Sequence, residues 1–252
     1  MSSQPTILIT GCSSGFGLET CRLFLARGWR VVATMRTPRA DLLPVSSQLL
    51  ILPLDVTDGQ SIAHCVVQAG PVDALVNNAG IGLRAPLEGL TAQQVRDVFE
   101  TNVLGTIAMT QAVLPQMRGR RSGVIVNVSS VVAFQPMPLL SVYTASKSAV
   151  EGFTRSLALE LAPFGIRAHL VQPGRAPGTP FGSSAQQRAG GSLHAAYAGF
   201  ARSLATATAD PAAPVTEAAD VAQAVWRVVT DAAAPRAVPA GADAQAMAAA
   251  LG

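Results

Sequence analysis

Thr6-Ile7-Leu8-Ile9-Thr10-Gly11-Cys12-Ser13-Ser14-Gly15-Phe16-Gly17 is the stretch on which the architecture of this chain turns. Residues 6–10 are a short apolar, β-branched run and predict a buried strand. A glycine-rich turn follows, and then a helical pattern over residues 18–27. Strand, glycine turn and helix in succession open a dinucleotide-binding unit. Gly11 permits the tight turn, Gly15 lets the backbone approach a pyrophosphate, and Gly17 lets helix and strand pack closely. The free N–H groups and partial positive charge of the helix N-terminus suit phosphates. Ser13, Ser14 and Phe16 lie in the same loop and count with these cofactor contacts. The spacing is G-x-x-x-G-x-G, not G-x-G-x-x-G.

Working outward, a second strand over residues 30–34 ends in Met35-Arg36. At such a strand end a carboxylate accepts the ribose 2′-OH of NAD, whereas Arg accommodates the 2′-phosphate of NADP. After this strand no carboxylate appears before Asp41, so NADP(H) is favoured over NAD(H), and Ser14 adds a possible hydroxyl to the phosphate. A third strand, 49–54, is cut short by Pro53 and followed by Asp55-Val56, where Asp55 can accept from the adenine amino group and Val56 can donate its N–H. A helix over 61–69 leads to a fourth strand, 72–76, closing on Asn77-Asn78-Ala79-Gly80. That sharp turn falls at the carboxyl edge of a parallel sheet, where ligands bind.

The remaining pattern repeats the alternation. A long helix runs from Thr91 to about Met117 with Asn102 in its middle. Asn is a poor mid-helix residue, which a buried amide bonding to another element would explain. Residues 124–128 form a fifth strand ending at Ser129-Ser130, and residues 141–161 a long helix stopped by Pro163-Phe164-Gly165. A sixth strand, 166–171, runs into Pro173-Gly174. Residues 175–214 are the least patterned part, and an insertion of that length between strand and helix predicts an active-site lid. Within it Leu193, Tyr197 and Phe200 share one helical face. A helix over 216–230, a short strand at 236–238 and an Ala-rich helix at 244–251 finish the chain. The expected fold is α/β: a single-domain Rossmann fold over residues 1–252, a doubly wound parallel sheet of about seven strands with helices on both faces.

Composition fits a large core: 49% of the 252 residues are hydrophobic and 13% charged. The net charge of +3 is mild, and Arg118, Arg120 and Arg121 sit in a short turn, so nucleic acid is not an expected partner. Cys12, Cys21 and Cys65 have no paired spacing, which argues for a reducing, cytoplasmic setting over a disulfide framework. His64, His169 and His194 show no metal-ligand spacing, so no metal is expected. The start carries no signal-peptide pattern, and no apolar run approaches the ~20 residues of a membrane span.

Lys147 is the one lysine among 18 basic residues. It follows Tyr143 by four positions, so phenol and ammonium share one helix face. Lys is a compact charge with rotatable donors, unlike the arginine fork. A neighbouring ammonium favours the phenolate and can bring a tyrosine, ordinarily at a pKa of ~10, within reach of base chemistry.

These elements together resemble the short-chain dehydrogenase/reductase family over essentially the whole chain. The carrying motifs are Thr10-Gly11-x-x-x-Gly15-x-Gly17, Asn77-Asn78-Ala79-Gly80, Asn102, Ser130, Tyr143-x-x-x-Lys147 and Pro173-Gly174. The pieces around Cys12, Ala33-Thr34-Met35-Arg36 and Leu54-Asp55-Val56-Thr57-Asp58 are most similar to the steroid- and retinol-dehydrogenase branch and its bacterial relatives. The resemblance implies hydride transfer between a nicotinamide and a carbonyl or secondary alcohol. It implies that Tyr143 is the general acid or base, that Ser130 holds the carbonyl oxygen, and that Lys147 binds the nicotinamide ribose. Asn102 would hold a water leading to Lys147. Asn77, Ala79 and Gly80 would line the cofactor, and Pro173-Gly174 would flank the nicotinamide. The family commonly has Thr four residues after that Gly. Here Gly178 stands there and Thr179 follows, so either the loop carries one extra residue or Thr179 does not make that contact.

A lipophilic substrate is expected from the apolar candidates Phe134, Met137, Leu139, Phe181, Leu193, Tyr197 and Phe200. Reduction of a 3-oxoacyl thioester, or NADP(H) sensing without turnover, are the alternative functions. The family usage implies a homodimer or homotetramer.

Overall fold

In the computed structural model, residues 4–190, 195–207, 210 and 212–251 are described; Leu193 and His194 lie outside them. Seven strands form one parallel sheet: β1 (Thr6–Ile9), β2 (Arg30–Met35), β3 (Leu49–Pro53), β4 (Ala74–Asn77), β5 (Gly123–Val128), β6 (Ile166–Pro173) and β7 (Ala237–Ala240). Their order is β3-β2-β1-β4-β5-β6-β7. Register follows from the apolar runs, with Ile7 opposite Val31 on one side and Ala74 on the other.

Alternation along each strand feeds two cores. Ile7 and Ile9 point to the face covered by α1 (Gly15–Ala26) and α8 (Ala218–Thr230), where Phe24, Val225 and Val228 are fully buried. The Phe24 ring lies 5.2 Å from Trp29 and 5.1 Å from Trp226, tying α1 to α8 by aromatic contact. Leu8 points the other way, to α2 (Gly59–Ala69), α4 (Gly105–Arg120) and α5 (Ser141–Leu161), where Met109, Val113 and Leu157 are buried. Both faces are thus covered, as an all-parallel sheet requires.

The helix expected over 91–117 is built in two parts. α3 (Ala92–Phe99) starts in a capping box, with Thr91 Oγ1 accepting from Gln94 N and Gln94 Oε1 accepting from Thr91 N. A π-helical turn over Glu100–Leu104 then leads into α4. That extra residue per turn sits at Asn102 and points its side chain into the protein, which a regular helix would not need.

Between β6 and α8 the segment read as least patterned contains two further helices, α6 (Phe181–Arg188), which the pattern did not suggest, and α7 (Ala198–Ala207), which carries Phe200 of the expected helical face. α6 has no apolar period to read. It is held by packing instead, with Phe181 and Ala185 against Gly82 and Ala189 in the cluster around Leu83 and Val98. A last helix, α9 (Ala242–Ala249), follows β7. Among the described residues no helix is long and apolar enough to cross a membrane.

Candidate active site

The sheet order reverses between β1 and β4, and the chain leaves their carboxyl ends in opposite directions. The crevice there is a cavity of about 1440 Å³. Ligand pockets commonly span ~300–1,000 Å³, so this one is large enough for a dinucleotide.

One wall is the turn between β1 and α1. Gly11 and Gly15 have φ of +74° and +54°, conformations that glycine adopts at no steric cost. Asn78 locks this turn: its N–H donates to Thr10 Oγ1 at 3.0 Å, and its Nδ2 donates to the carbonyls of Thr10 and Gly11 at 2.9 and 3.1 Å. Ala79 N also donates to Thr10 Oγ1, at 2.9 Å. At α1 the N-cap Ser14 makes no side-chain cap bond, which leaves the first-turn N–H groups for a ligand. This uncapped helix start beside an open glycine turn fits a dinucleotide pyrophosphate. A Cβ on Gly17 would lie 2.4 Å from Gly11 O and 2.6 Å from Asn78 Nδ2. Gly17→Ala is therefore expected to push the turn out of shape, lowering stability by ~1–3 kcal/mol and weakening cofactor binding at least tenfold. Thermal melts and a fluorescence titration with NADPH check this, and unchanged values in both would remove Gly17 from the cradle.

Arg36, Asp55 and Val56 line the end of the cavity past β2 and β3. Asp55 Oδ1 accepts from Thr57 N at 2.9 Å and Thr57 Oγ1 at 2.7 Å. Those bonds, with the Arg36 charge, hold its carboxyl below the usual carboxylate range against the opposing effect of burial.

The other end gathers Ser130, Tyr143 and Lys147. Ser130 follows β5 in an extended conformation, and its Oγ accepts from Val132 N at 3.4 Å. Tyr143 and Lys147 sit in the first two turns of α5, both buried. Lys147 Nζ donates to the carbonyl of Val128 at 2.8 Å and lies 5.8 Å from the centre of the Tyr143 ring. A Cβ on Gly80 would stand 3.2 Å from Asn102 Oδ1, a tight contact, and 3.6 Å from Lys147 Nζ, an ordinary one. Burial raises the Tyr143 pKa well above its ordinary value, opposed by the neighbouring Ser130 hydroxyl. Burial likewise lowers Lys147 to about 8. Burial is the largest influence on the phenol, and it favours the neutral form.

Some predicted residues take other places. Asn102 does not line the cavity. Its Oδ1 accepts from Ile81 N at 2.8 Å, and its Nδ2 donates to Ile81 O at 2.9 Å and Ser146 Oγ at 3.0 Å. The amide thus clamps the loop after β4 to the catalytic helix. Asn77 points into the sheet layer, donating through Nδ2 to Asn127 Oδ1 at 2.8 Å and Thr110 Oγ1 at 3.1 Å, because β4 still runs at that residue. Its neighbour Asn78 meets the cavity instead. Gly17 is buried beneath the cradle. Met137 and Phe181 line the cavity, and the Phe181 ring lies 5.5 Å from that of Tyr143. Phe134, Leu139, Tyr197 and Phe200 lie outside the lining, and Phe200 is exposed. Leu139 has φ of +62° and gives its carbonyl to Ala85 N at 3.0 Å, so it shapes the loop before α5.

Pro173 and Gly174 line the cavity, and Thr179, not Gly178, reaches it. A Cβ on Gly15 would stand 3.3 Å from Thr179 Cγ2, so this loop crosses the phosphate cradle. The lining also includes Asp243, Ala246 and Met247 of α9. Asp243 accepts from Arg175 N at 2.6 Å and Thr216 Oγ1 at 2.7 Å, which pins both ends of the 175–214 segment to one carboxylate. Nothing in the Ala-rich sequence of α9 signalled this. Among the described residues there is no group of three or more His, Cys, Asp or Glu that could hold a metal ion.

Comparison with known proteins agrees with this geometry. The family profile described as short chain dehydrogenase matches residues 5–189. Retinol dehydrogenase 8 of Bos taurus is 46% identical over 190 residues, which cover 69% of this chain and 60% of that protein. Human 17-beta-hydroxysteroid dehydrogenase type 1 is 41% identical over 187 residues, covering 68% and 57%. The chain spans about 60% of the length of the curated relatives it matches. A solved short chain dehydrogenase from Burkholderia cenocepacia J2315 in complex with NADP superposes with a TM-score of 0.78 at 26% identity, covering 98% of this chain and 92% of that one. Since the match runs from the glycine turn through α5 to α6, the chain belongs to the short chain dehydrogenase family of oxidoreductases, and it is similar to retinol and steroid dehydrogenases within it.

Proposed function

We propose that this chain is an NADP(H)-dependent oxidoreductase that interconverts a lipophilic ketone and its secondary alcohol. The observation that carries the proposal is that Ser130, Tyr143 and Lys147, all buried, gather at one end of a cavity whose other end is a phosphate cradle. The bound nicotinamide supplies or accepts the hydride. Ser130 Oγ holds the substrate oxygen, and the Tyr143 hydroxyl gives that oxygen its proton in reduction or takes it back in oxidation. A phenol kept neutral by burial suits the reducing direction. Lys147 has three N–H donors; one goes to Val128 O, leaving two for the ribose hydroxyls of the cofactor. The apolar substrate class is supported by Met137, Phe181 and Met247 on the cavity wall.

NADP(H) over NAD(H) is supported by Arg36, which follows β2, and by Ser13 and Ser14, which line the same cavity. Arg36→Asp puts a carboxylate where the 2′-phosphate would sit, so the ratio of NADPH to NADH affinity is expected to fall at least tenfold. Fluorescence titration of both cofactors measures it. A constant ratio would take Arg36 out of the site. NADPH oxidation against a panel of lipophilic ketones tests the activity; tight NADPH binding without turnover on any carbonyl would turn the reading towards a sensor.

A further inference from the structure

Glu151 is a buried carboxylate that the chemistry above leaves unused. Among the described residues only one other carboxylate, Asp243, is buried. Glu151 stands on α5 four residues after Lys147 and eight after Tyr143, so the three share one helix face. The neighbouring sheet-facing positions are Val150, Leu157 and Leu161, and a charge at that depth is costly unless it is hydrogen-bonded. Glu151 is bonded, and its donors come from two strand ends. Its Oε1 accepts from Ser129 Oγ at 3.1 Å and from Gln172 Nε2 at 2.6 Å. Its Oε2 accepts from the exposed Arg155, Nη2 at 3.1 Å. Ser129 follows β5 and precedes Ser130, and Gln172 precedes Pro173-Gly174 at the end of β6. Ser129 N also donates to Val171 O at 2.8 Å, so β6 holds its backbone and α5 its hydroxyl. Lys147 Nζ holds the carbonyl of Val128, one residue earlier. Successive turns of α5 thus grip successive residues of the segment that leads into Ser130.

We infer that Glu151 is a positioning residue: through Ser129 it fixes Ser130 against Tyr143, and through Gln172 it fixes the Pro173-Gly174 turn to the same helix. The inference rests on the oxidoreductase reading above. Glu151 itself is outside the cavity lining and touches neither cofactor nor substrate, whereas Ser129, Pro173 and Gly174 line the cavity. The two arms therefore act on different quantities. Release of Ser129 lets Ser130 shift from the substrate oxygen and lowers kcat, since a misplacement of ~1 Å at a reacting group costs on the order of a hundredfold. Release of Gln172 moves the wall beside the cofactor and lowers NADPH affinity. One oxygen that receives both donors makes the ends of β5 and β6 move together.

The test compares two substitutions on the full chain. Glu151→Gln keeps an acceptor oxygen for Ser129 and Gln172 and turns its amide towards Arg155. Glu151→Leu removes the acceptor at similar volume. With NADPH saturating, and well below the melting temperature of every variant, kcat for ketone reduction is expected to fall roughly tenfold or more in Glu151→Leu and to stay within about threefold in Glu151→Gln. Ser129→Ala should lower kcat roughly fivefold in the unmodified protein and add no loss to Glu151→Leu, because the two act through one bond. A fluorescence titration, which needs no turnover, should show NADPH affinity roughly fivefold weaker in Glu151→Leu and within about twofold in Glu151→Gln. Thr154→Val is the control. It removes the 2.8 Å bond from Asn127 Nδ2 to Thr154 Oγ1, which ties β5 to α5 further from the site, and should lower the melting temperature while kcat and NADPH affinity stay within about twofold. Unchanged kcat and affinity in Glu151→Leu, with only a lower melting temperature, would overturn the inference and leave the function reading intact. Equal losses in Glu151→Gln or in Thr154→Val would also overturn it, pointing to charge or to general loosening instead of the tether. Losses that multiply in the double variant would remove the Ser129 arm. Should Glu151→Leu not fold, Ser129→Ala with full kcat sinks the idea. NADPH binding without turnover of any ketone would overturn the activity reading, and the titration then decides for Glu151 alone: weaker binding in Glu151→Leu supports the tether, equal binding refutes it.

Discussion

Tyr143→Phe is expected to lower kcat for ketone reduction by ~10²–10⁴-fold, the range supplied by a positioned general acid, while NADPH affinity stays within a few-fold. The substitution keeps the ring that packs 5.5 Å from Phe181 and removes only the hydroxyl. No other phenol can replace it: the second tyrosine, Tyr197, lies outside the cavity lining. Substrate KM should move little, because Ser130 still holds the oxygen. Steady-state kinetics with a ketone found active in the panel, and a parallel NADPH titration, measure the split. Activity within tenfold of the unmodified protein would mean that the proton comes from elsewhere.

The second large effect is expected at Lys147, and it runs in opposite directions for stability and activity. Burial depresses the folded-state pKa to about 8, from 10.5 for an exposed lysine. Below pH 8 the ammonium is present in both the folded and unfolded chain, and the folded state carries the full cost of burying it. Between pH 8 and 10.5 the unfolded chain binds the additional proton, so stability rises with pH across that window. A depression of this size corresponds to ~3 kcal/mol at neutral pH, reduced by whatever the Val128 carbonyl gains from its bond. Lys147→Met has similar length and no charge. The cofactor-free variant is expected to unfold at higher urea concentration than the parent at pH 7, with the advantage shrinking towards pH 10. Its turnover should fall at least a hundredfold, and its NADPH affinity should weaken through loss of the ribose donors. A variant that is less stable than the parent at pH 7 would show that Lys147 belongs to the packing rather than being tolerated for chemistry.

This opposition explains a feature of the helix that carries both residues. α5 is otherwise regular, with an apolar face of Val150, Leu157 and Leu161 on the sheet. Its first two turns put a phenol and an amine in the same dry layer. Local propensity does not ask for either residue there. Asn102 secures the arrangement from outside by clamping Ile81 and Ser146, and so joins the loop after β4 to α5.

The chain's own pattern determined the parallel sheet and where its strands fall along the chain. Apolar runs of four to six residues between glycine and asparagine turns can only be buried strands in a chain this poor in charge, and parallel strands must be joined by helices. Gly11, Gly15, Ser130, Tyr143 and Lys147 were legible for the same reason: each is fixed to a strand end or a helix start by local geometry. Tertiary structure decided what local spacing does not encode. Asn77 and Asn78 are adjacent and chemically identical, and only the point where β4 ends sends one into the sheet and the other to the cavity. Burial, which no spacing encodes, pushes the Tyr143 phenol towards its neutral form. α6 has no periodicity of its own and forms because Gly82 leaves space for Phe181 and Ala185. Arg188 and Asp243 reach the cavity from segments far along the chain. Their positions follow from close contacts between distant backbone segments, and such contacts leave no period in a sequence.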